Sequence, residues 1–239
     1  MNKLGILRTV NEILAHLNSI ADPEKIAFKE KKYGIIAQNA VGIYMKDLKE
    51  LVKVLPKDDQ LALELFDSGI YEARLLCSKL FNPKNLTEEL MEKWIVVFDN
   101  WEICDSFSMT VFARSRFAAQ KIHEWADREP EFERRAAFAT LAAYCMAEKK
   151  AENELFDSFL PLIKKAVTDE RNFVKKAVNW ALRNIGKRNI DLNKQAIQVA
   201  KDILKLESRS AKWIAKDALR ELEKEGVRLS DYQRHIYRK

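Results

Sequence analysis

The sequence is poor in glycine and proline, with six and five of them in 239 residues. Sheet-rich folds need many turns, and turns commonly use these two residues. No stretch alternates polar and apolar residues for long enough to predict a strand. About a dozen segments instead repeat apolar residues at the i, i+3, i+4 spacing of helices. The sequence therefore predicts an all-α fold with short connections.

Residues that hold metals or form disulfides are also scarce. The chain has three cysteines and three histidines, and they are widely separated: Cys77, Cys104, Cys145, His16, His123 and His235. No CxxC pair, phosphate-binding glycine loop or GxSxG motif is present. We therefore expect no metal and no cofactor.

Long apolar runs are missing as well. None approaches the ~20 residues needed to cross a bilayer, and the first residues predict an amphipathic helix carrying Lys3, Arg8 and Glu12. This pattern is not that of a signal peptide, so we expect a cytoplasmic protein with no membrane partner. The net charge of +6 and the pI of about 9.1 permit a nucleic-acid partner without requiring one.

Helix start and stop signals divide the chain into short elements. Asp22-Pro23 predicts the start of the second helix and Gly34 its end, while Asp58 and Thr87 are predicted N-caps. Later helices are expected near residues 116–125, 132–147, 152–167, 173–186, 192–206 and 211–225.

The helices are expected to form one domain over residues 1–239, because no linker or low-complexity tract separates two halves. Helix pairs of this size stack into α-solenoids with repeats of ~34–47 residues. A compact, non-repeating bundle is the alternative. Residues 230–239 are basic and are expected to be a fraying C-terminal tail, with a phosphate contact as the other reading.

The segment 173–187 predicts a helix with two different sides. Its apolar stripe consists of Val174, Ala177, Val178, Ala181, Leu182 and Ile185. Lys176, Arg183 and Lys187 align on another side, and Trp180 lies at the border. An indole beside aligned cations suits a nucleic-acid backbone. The alternative is a core-edge tryptophan beside a solvated face.

Trp101 and Asp105 are four residues apart and would share one helix face. Asp99 to Glu102 has the pattern of a capping box just before them. No Lys or Arg lies within one turn of Asp105, so its carboxylate could stabilise a developing positive charge. The alternative is that Asp105 caps a neighbouring backbone and Trp101 belongs to the core.

Arg134 and Arg135 precede an apolar helix, and one of them is expected to face outward. That arginine could clamp a phosphate. The alternative is an ordinary ion pair with Glu131 or Glu133.

Several segments together resemble the DNA alkylation repair family of AlkD-like proteins. The main ones are DNWEICDS, ERRAAFA and DERNFVKKAVNWALRNIGKRN. Upstream, VGIYMKDLKELVK and LALELFDSGIYEARLLC resemble the N-terminal helix pairs of that family. The resemblance spans roughly residues 34–222. It implies HEAT-like repeats wound into a superhelix, an α-solenoid with a concave, basic surface. The implied partner is duplex DNA containing alkylated bases, bound by a monomer.

The resemblance also implies an activity, the hydrolysis of the N-glycosidic bond of cationic alkylpurines such as 3-methyladenine and 7-methylguanine. The site of such glycosylases is a Trp, an Asp one turn later, an Arg and a second Trp. These positions fall on Trp101, Asp105, Arg135 and Trp180. The Asp would stabilise the oxocarbenium sugar, and the two indoles would contact the lesion nucleotide.

Lys176, Arg183 and Lys187 would then bind DNA phosphates without reading sequence. Two readings from other classes stay open. One is a non-catalytic protein of the same family that binds unusual DNA structures. The other is a helical-repeat scaffold for protein partners.

Overall fold

The computed structural model describes residues 7–233, which contain fourteen α-helices, two short 3₁₀ helices and no strand. The predicted all-α class is therefore confirmed. Contacts within the chain divide it into two compact units, the first ending at Val111 and the second beginning at Phe112. The extent of one domain over residues 1–239 stays a prediction.

Between residues 7 and 111, unit 1 contains seven α-helices and a 3₁₀ turn over Pro83–Asn85. The helices are α1 (Val10–Ser19), α2 (Pro23–Tyr33), α3 (Met45–Val52), α4 (Asp59–Asp67), α5 (Tyr71–Leu80), α6 (Glu88–Ile95) and α7 (Trp101–Thr110).

Unit 2 contains the other seven, preceded by a 3₁₀ turn over Phe112–Arg114. They are α8 (Ala118–Trp125), α9 (Glu131–Ala147), α10 (Asn153–Asp157), α11 (Leu160–Ala166), α12 (Asn172–Gly186), α13 (Ile190–Ile203) and α14 (Arg209–Leu222). None of the helices within residues 7–233 has both the length and the apolar character needed to cross a bilayer.

The predicted start and stop signals are confirmed where side chains decide them. Asp22 caps α2, Pro23 is its first residue, and Gly34 ends it in the left-handed conformation at φ 64°. The side chains of Asp58 and Thr87 accept hydrogen bonds from the first turns of α4 and α6. Each cap satisfies an N–H that the helix itself leaves unpaired.

Two predicted boundaries are wrong. The single helix expected over residues 152–167 is broken into α10 and α11, and Pro161 occupies the first turn of α11. Proline has no N–H and clashes with the preceding turn, so it starts a helix rather than continuing one. The first helix begins only at Val10, with Thr9 and Glu12 forming a reciprocal capping box. Residues 1–6, including Lys3, lie outside the described residues.

Helices α9 and α12 run side by side in the same direction. The Arg135 guanidinium donates to the Phe173 carbonyl near their starts, and the Asn184 side chain donates to the Ala142 carbonyl near their ends. These partners are 38 and 42 residues apart in sequence. A helix therefore recurs in the same orientation after one repeat-length of chain.

Helix α14 continues this arrangement beside α12. Asn179 donates to Asp217 and Arg183 to Glu221, and both partners are 38 residues apart. The helices between these parallel members, α11 and α13, pack against α12 and α14. Helix pairs recurring at this spacing are helical repeats, so the non-repeating bundle is excluded for unit 2.

Unit 1 has a shorter version of the same pattern. The hydroxyls of Ser78 and Ser106 are 2.7 Å apart, and the Tyr71 hydroxyl is 3.1 Å from Asn100 Oδ1. These contacts join residues 28 and 29 apart and place α5 and α7 side by side in the same direction. The start of α7 is thereby held by the helix of the preceding repeat.

The loop that precedes α3 in unit 1 depends on a glycine. Gly42 has φ +84°, and a Cβ there would lie 2.0 Å from the Asp22 carbonyl oxygen. The buried Glu72 carboxylate accepts hydrogen bonds from the backbone N–H groups of Val41, Gly42 and Ile43. The loop therefore has no room for a side chain at position 42.

The chain after α14 is attached to unit 2. The Ser230 N–H donates to the Lys187 carbonyl at 2.8 Å, and the Tyr232 N–H donates to the Arg188 carbonyl at 3.0 Å. Residues 230–233 are thus not the fraying tail that the sequence predicts, because helix-end carbonyls hold them. Residues 234–239 lie outside the described residues.

Candidate functional site

Trp101 and Asp105 lie together on the outer side of α7. Both are partly exposed, whereas Ile103, Cys104 and Phe107 of the same helix are completely buried. The four-residue spacing therefore places an indole and a carboxylate one above the other on a surface. Trp101 is therefore not a core residue.

The cap of α7 is Asn100 rather than the predicted Asp99. The Asn100 side chain accepts hydrogen bonds from the backbone N–H groups of Glu102 at 2.9 Å and Ile103 at 3.3 Å. The predicted capping box is therefore wrong. The sequence offers two adjacent good caps, and the buried position of Asn100 decides between them.

Glu102 instead fixes the first turn of α7 through buried partners. Its carboxylate lies 2.5 Å from Lys29 Nζ and accepts a hydrogen bond from the Tyr71 hydroxyl at 2.9 Å. The Lys29 and Glu102 side chains are only 7% and 14% exposed. Breaking such a buried pair typically costs ~3–5 kcal/mol. These contacts therefore hold the backbone in place at Trp101, the residue before Glu102.

The indole of Trp101 is itself anchored. Its Nε1–H donates to the Tyr33 carbonyl at 3.0 Å. Tyr33 is the last residue of α2, where helix carbonyls lack partners within the helix. Because this N–H is already used, the ring can offer a ligand its π face but not its polar edge.

The two neighbouring arginines of unit 2 both face the protein. Arg135 is 6% exposed, and its Nη1 donates to the Phe173 carbonyl at 2.5 Å. Arg134 pairs with Asp169 at 3.0 Å and donates to the Ala126 carbonyl. The expectation of an outward-facing arginine is therefore wrong, and Asp169 replaces the acidic partners that the sequence suggested.

The Asp169 carboxylate pairs with two arginines just before α12. Arg171 approaches it at 2.6 Å and Arg134 at 3.0 Å. Partial burial tends to raise the pKa of Asp169, but hydrogen bonds from Arg171 and Arg134 outweigh it and hold the pKa below its usual range. The carboxylate therefore ties the loop before α12 to α9 in its ionised form.

Helix α12 has the two sides that its sequence predicts. The six predicted core residues are completely buried: Val174, Ala177, Val178, Ala181, Leu182 and Ile185. Lys176 is exposed and Trp180 is partly exposed. Trp180 therefore has an indole surface available to a ligand on the helix that also carries the cations.

Two of the three predicted phosphate contacts are paired with one carboxylate. Glu221 lies 2.5 Å from Arg183 Nη1 and 2.8 Å from Lys187 Nζ. Partial burial tends to raise the pKa of Glu221, but Lys187 and Arg183 outweigh it and hold the pKa below its usual range. Of the three cations, Lys176 alone has no ion pair to any residue from 7 to 233.

A third surface tryptophan, in unit 2, was not predicted. Trp213 of α14 is 41% exposed, and Lys175 Nζ lies 5.3 Å from the centre of its ring. Lys216 is exposed one turn further along. The sequence signal is the same as in α12, an indole next to lysines at helical spacing, and it extends the aromatic and basic character of unit 2.

Metal and thiol chemistry have no support within residues 7–233. No group of three His, Cys, Asp or Glu side chains there is arranged to hold a metal ion. Cys77, Cys104 and Cys145 are buried and form no disulfide. Burial raises the pKa of Cys145 to about 12, so this thiol stays protonated near neutral pH.

A solved structure of another protein has a similar fold. A structure described as "a new family of proteins related to the HEAT-like repeat DNA glycosylases with affinity for branched DNA structures" superposes with a TM-score of 0.69 at 17% identity. The match covers 89% of this chain and 94% of that one. The predicted HEAT-like repeat fold is therefore confirmed, while the concave, basic surface stays a prediction.

Two relatives are similar along most of their length. The uncharacterized protein Lin0241 of Listeria innocua is 23% identical over 221 residues, which cover 90% of this chain and 96% of the relative. The uncharacterized protein Lmo0209 of Listeria monocytogenes is 20% identical over 201 residues, covering 83% and 88%. The family model described as "DNA alkylation repair enzyme" matches residues 13–222, so the chain belongs to the DNA alkylation repair enzyme family.

Proposed function

We propose that this protein is a monofunctional DNA glycosylase that releases positively charged alkylpurines, of the 3-methyladenine and 7-methylguanine type, from duplex DNA. The observation that carries the proposal is the surface pair on α7, Trp101 and Asp105, on a helix whose first turn is held by the buried contacts of Glu102. Family membership supplies the class of substrate.

The chemistry needs little from the protein beyond a placed negative charge. An alkylated purine already carries positive charge, so the glycosidic electron pair leaves with the base and neutralises it. The sugar is left with oxocarbenium character, which the Asp105 carboxylate stabilises. Water then attacks the anomeric carbon and loses a proton. No metal or covalent enzyme intermediate is required.

The indoles add attraction for cationic species. A cation over a tryptophan face gains ~0.5–2 kcal/mol. Trp101 offers only its face, because its N–H is bonded to Tyr33. Trp180 of α12 is proposed as the second indole that contacts a lesion nucleotide. Rings at surface positions suit recognition of a charged nucleotide better than a closed base pocket does.

The phosphate contacts are proposed to differ in strength. Lys176 is exposed and unpaired within the described chain, so it can bind a phosphate at no cost to an existing ion pair. Arg183 and Lys187 share Glu221 and must divide their charge between it and DNA. Arg135, at 6% exposure, is proposed to contribute least to phosphate binding and most to holding α9 against α12.

The direct test is release of modified bases. Purified protein is incubated with dimethylsulfate-treated duplex DNA in the presence of a chelator, and free 7-methylguanine and 3-methyladenine are measured by chromatography. We expect release well above spontaneous depurination in the protein-free sample. Release equal to that background, from a protein shown to be folded, contradicts the proposal.

A second candidate is a non-catalytic protein that binds unusual DNA structures. It is favoured by the superposable structure, whose description names affinity for branched DNA. The same preparation separates the two functions when its binding to a four-way junction is compared with binding to a linear duplex of equal length. Tight junction binding without base release favours the second candidate.

A further inference from the structure

A basic cleft lies in unit 2 where α9 and α12 end. Its volume is about 610 Å³, and residues 228–232 form one of its walls. We call it the C-terminal cleft. Its polar lining residues are Lys149, Asn184, Lys187, Arg228, Ser230 and Tyr232.

The lining is positively charged. It includes three cations, Lys149, Lys187 and Arg228, and none of its lining residues is acidic. Lys149 and Arg228 are exposed and make no ion pair with any other residue in the described range. Lys187 is balanced by Glu221, so two cations face the cleft uncompensated. Like charges that share a concave surface raise the local potential and favour an anion there.

Hydrogen bonds hold the wall formed by residues 228–232 against the helices. The backbone of Ser230 and Tyr232 is bonded to the carbonyls of Lys187 and Arg188. The Tyr232 hydroxyl donates to the Met146 carbonyl at 3.3 Å. The segment therefore uses carbonyl groups at the ends of both helices, which keeps Arg228 near the other two cations.

A buried cation stands behind this wall. Arg188 is completely buried and donates from Nη1 to the carbonyls of Cys145 and Glu148. Its guanidinium carbon lies 3.5 Å from the Phe156 ring centre and 5.0 Å from that of Tyr232. Burial lowers the pKa of Arg188, but an arginine keeps its charge in proteins. It therefore adds fixed positive potential behind Tyr232.

We propose that the C-terminal cleft binds backbone phosphates of DNA, as a second contact of unit 2 in addition to the surface around Trp180. Lys187 directly follows α12 and comes seven residues after Trp180, which is about 10 Å along the helix axis. That distance equals roughly three base-pair steps of duplex DNA, so one strand can reach both. This inference rests on the DNA binding proposed above and assigns to that function two residues, Lys149 and Arg228.

The test compares two double variants that remove the same charge. Lys149→Ala/Arg228→Ala empties the cleft of its uncompensated cations. Lys31→Ala/Lys194→Ala removes two exposed lysines that line no part of the cleft and have no ion pair in the described chain. Binding of an undamaged, fluorescent duplex is measured by anisotropy at several salt concentrations, and thermal unfolding confirms that all proteins are folded.

We expect the cleft variant to bind the duplex roughly tenfold more weakly at moderate salt and to lose about 1.8 from the slope of log K against log salt. The control pair should change the slope by less than half as much. An unchanged slope in the cleft variant overturns the inference, and so does an equal loss in both pairs.

Two further measurements separate this inference from its alternatives. Calorimetric titration of the full chain with inorganic phosphate tests for a small-anion site. Phosphate binding that depends on Lys149 and Arg228, without any effect on the duplex slope, overturns the DNA assignment. Single-turnover base release at saturating protein tests the glycosylase proposal separately. A wild type without release but with a slope that depends on the cleft leaves this inference standing and removes only the activity.

Discussion

Glu221 is predicted to restrain DNA binding, because it holds two of the proposed phosphate contacts. Its carboxylate lies 2.5 Å from Arg183 and 2.8 Å from Lys187. The substitution Glu221→Gln keeps the size of the side chain and removes the charge. Lys187 would then have no ion pair within the described residues, Arg183 would keep only its longer contact to Asp217 at 3.5 Å, and a nearby repulsive anion would be lost.

The magnitudes follow from burial and from counterion release. The Arg183 and Lys187 side chains are each 28% exposed and that of Glu221 is 33% exposed. Ion pairs this accessible are worth ~0.2–1 kcal/mol each, so the two together contribute about 0.5–2 kcal/mol of stability. Each additional phosphate contact steepens the slope of log K against log salt by ~0.9. With two additional contacts, the loss of affinity between 50 and 200 mM salt would be roughly tenfold larger.

The assay is fluorescence anisotropy with an undamaged duplex across that salt range, together with a thermal melt. A suitable control is Glu223→Gln, because Glu223 pairs with Lys201 rather than with α12. We expect tighter binding at low salt, a steeper slope and a lower melting temperature for Glu221→Gln only. A lower melting temperature with unchanged affinity and slope would refute the reasoning, because the freed cations would then not reach DNA.

Three other predictions concern the supports of the site. Gly42→Ala should lower the free energy of unfolding by more than ~2 kcal/mol, since a Cβ would meet the Asp22 carbonyl at 2.0 Å. Urea denaturation measures this, and an unchanged midpoint would count against the loop geometry. Asp169 contributes stability that is complete above its usual pKa of 3.8 and is lost as pH falls through the lower folded value. Asp169→Asn should therefore flatten the acid limb of a stability–pH curve, and an unaltered limb would contradict the pairing. Trp101→Phe should keep the ring face but leave the Tyr33 carbonyl without its indole donor, at a cost of ~0.5–1.5 kcal/mol in the unfolding free energy. Base release should fall less than in Trp101→Ala, and an equal fall in both variants would mean that the ring face is irrelevant.

Local signals explain what could be predicted from the sequence. The caps at Asp58 and Thr87 and the buried stripe of α12 depend on neighbours within one or two turns. The shared face of Trp101 and Asp105 depends only on the helical period. Periodicity and capping are short-range properties, so a single sequence contains them. The break at Pro161 is also local, and its rule applies directly.

Contacts between residues far apart in the sequence explain what could not be predicted from it. Arg183 and Lys187 align as a solvated face in sequence, yet their partner Glu221 lies a whole repeat away. Arg135 is buried because α12 packs beside α9, and no feature near Arg135 indicates that. The Arg188 guanidinium donates to carbonyls at the end of α9, about one repeat earlier in the chain. In each case the decisive contact joins residues from successive repeats, whose register the degenerate sequence does not define.

The central claim is that the Asp105 carboxylate stabilises the sugar as a charged purine departs. The measurement is the single-turnover rate of 7-methylguanine release by wild type, Asp105→Asn and Asp99→Asn, with duplex affinity determined for each. Asp99 is an exposed acid just before the same helix and makes a matched control. We predict that Asp105→Asn slows release by ~10²–10³-fold at unchanged affinity while Asp99→Asn stays close to wild type. Equal rates for wild type and Asp105→Asn would contradict the account.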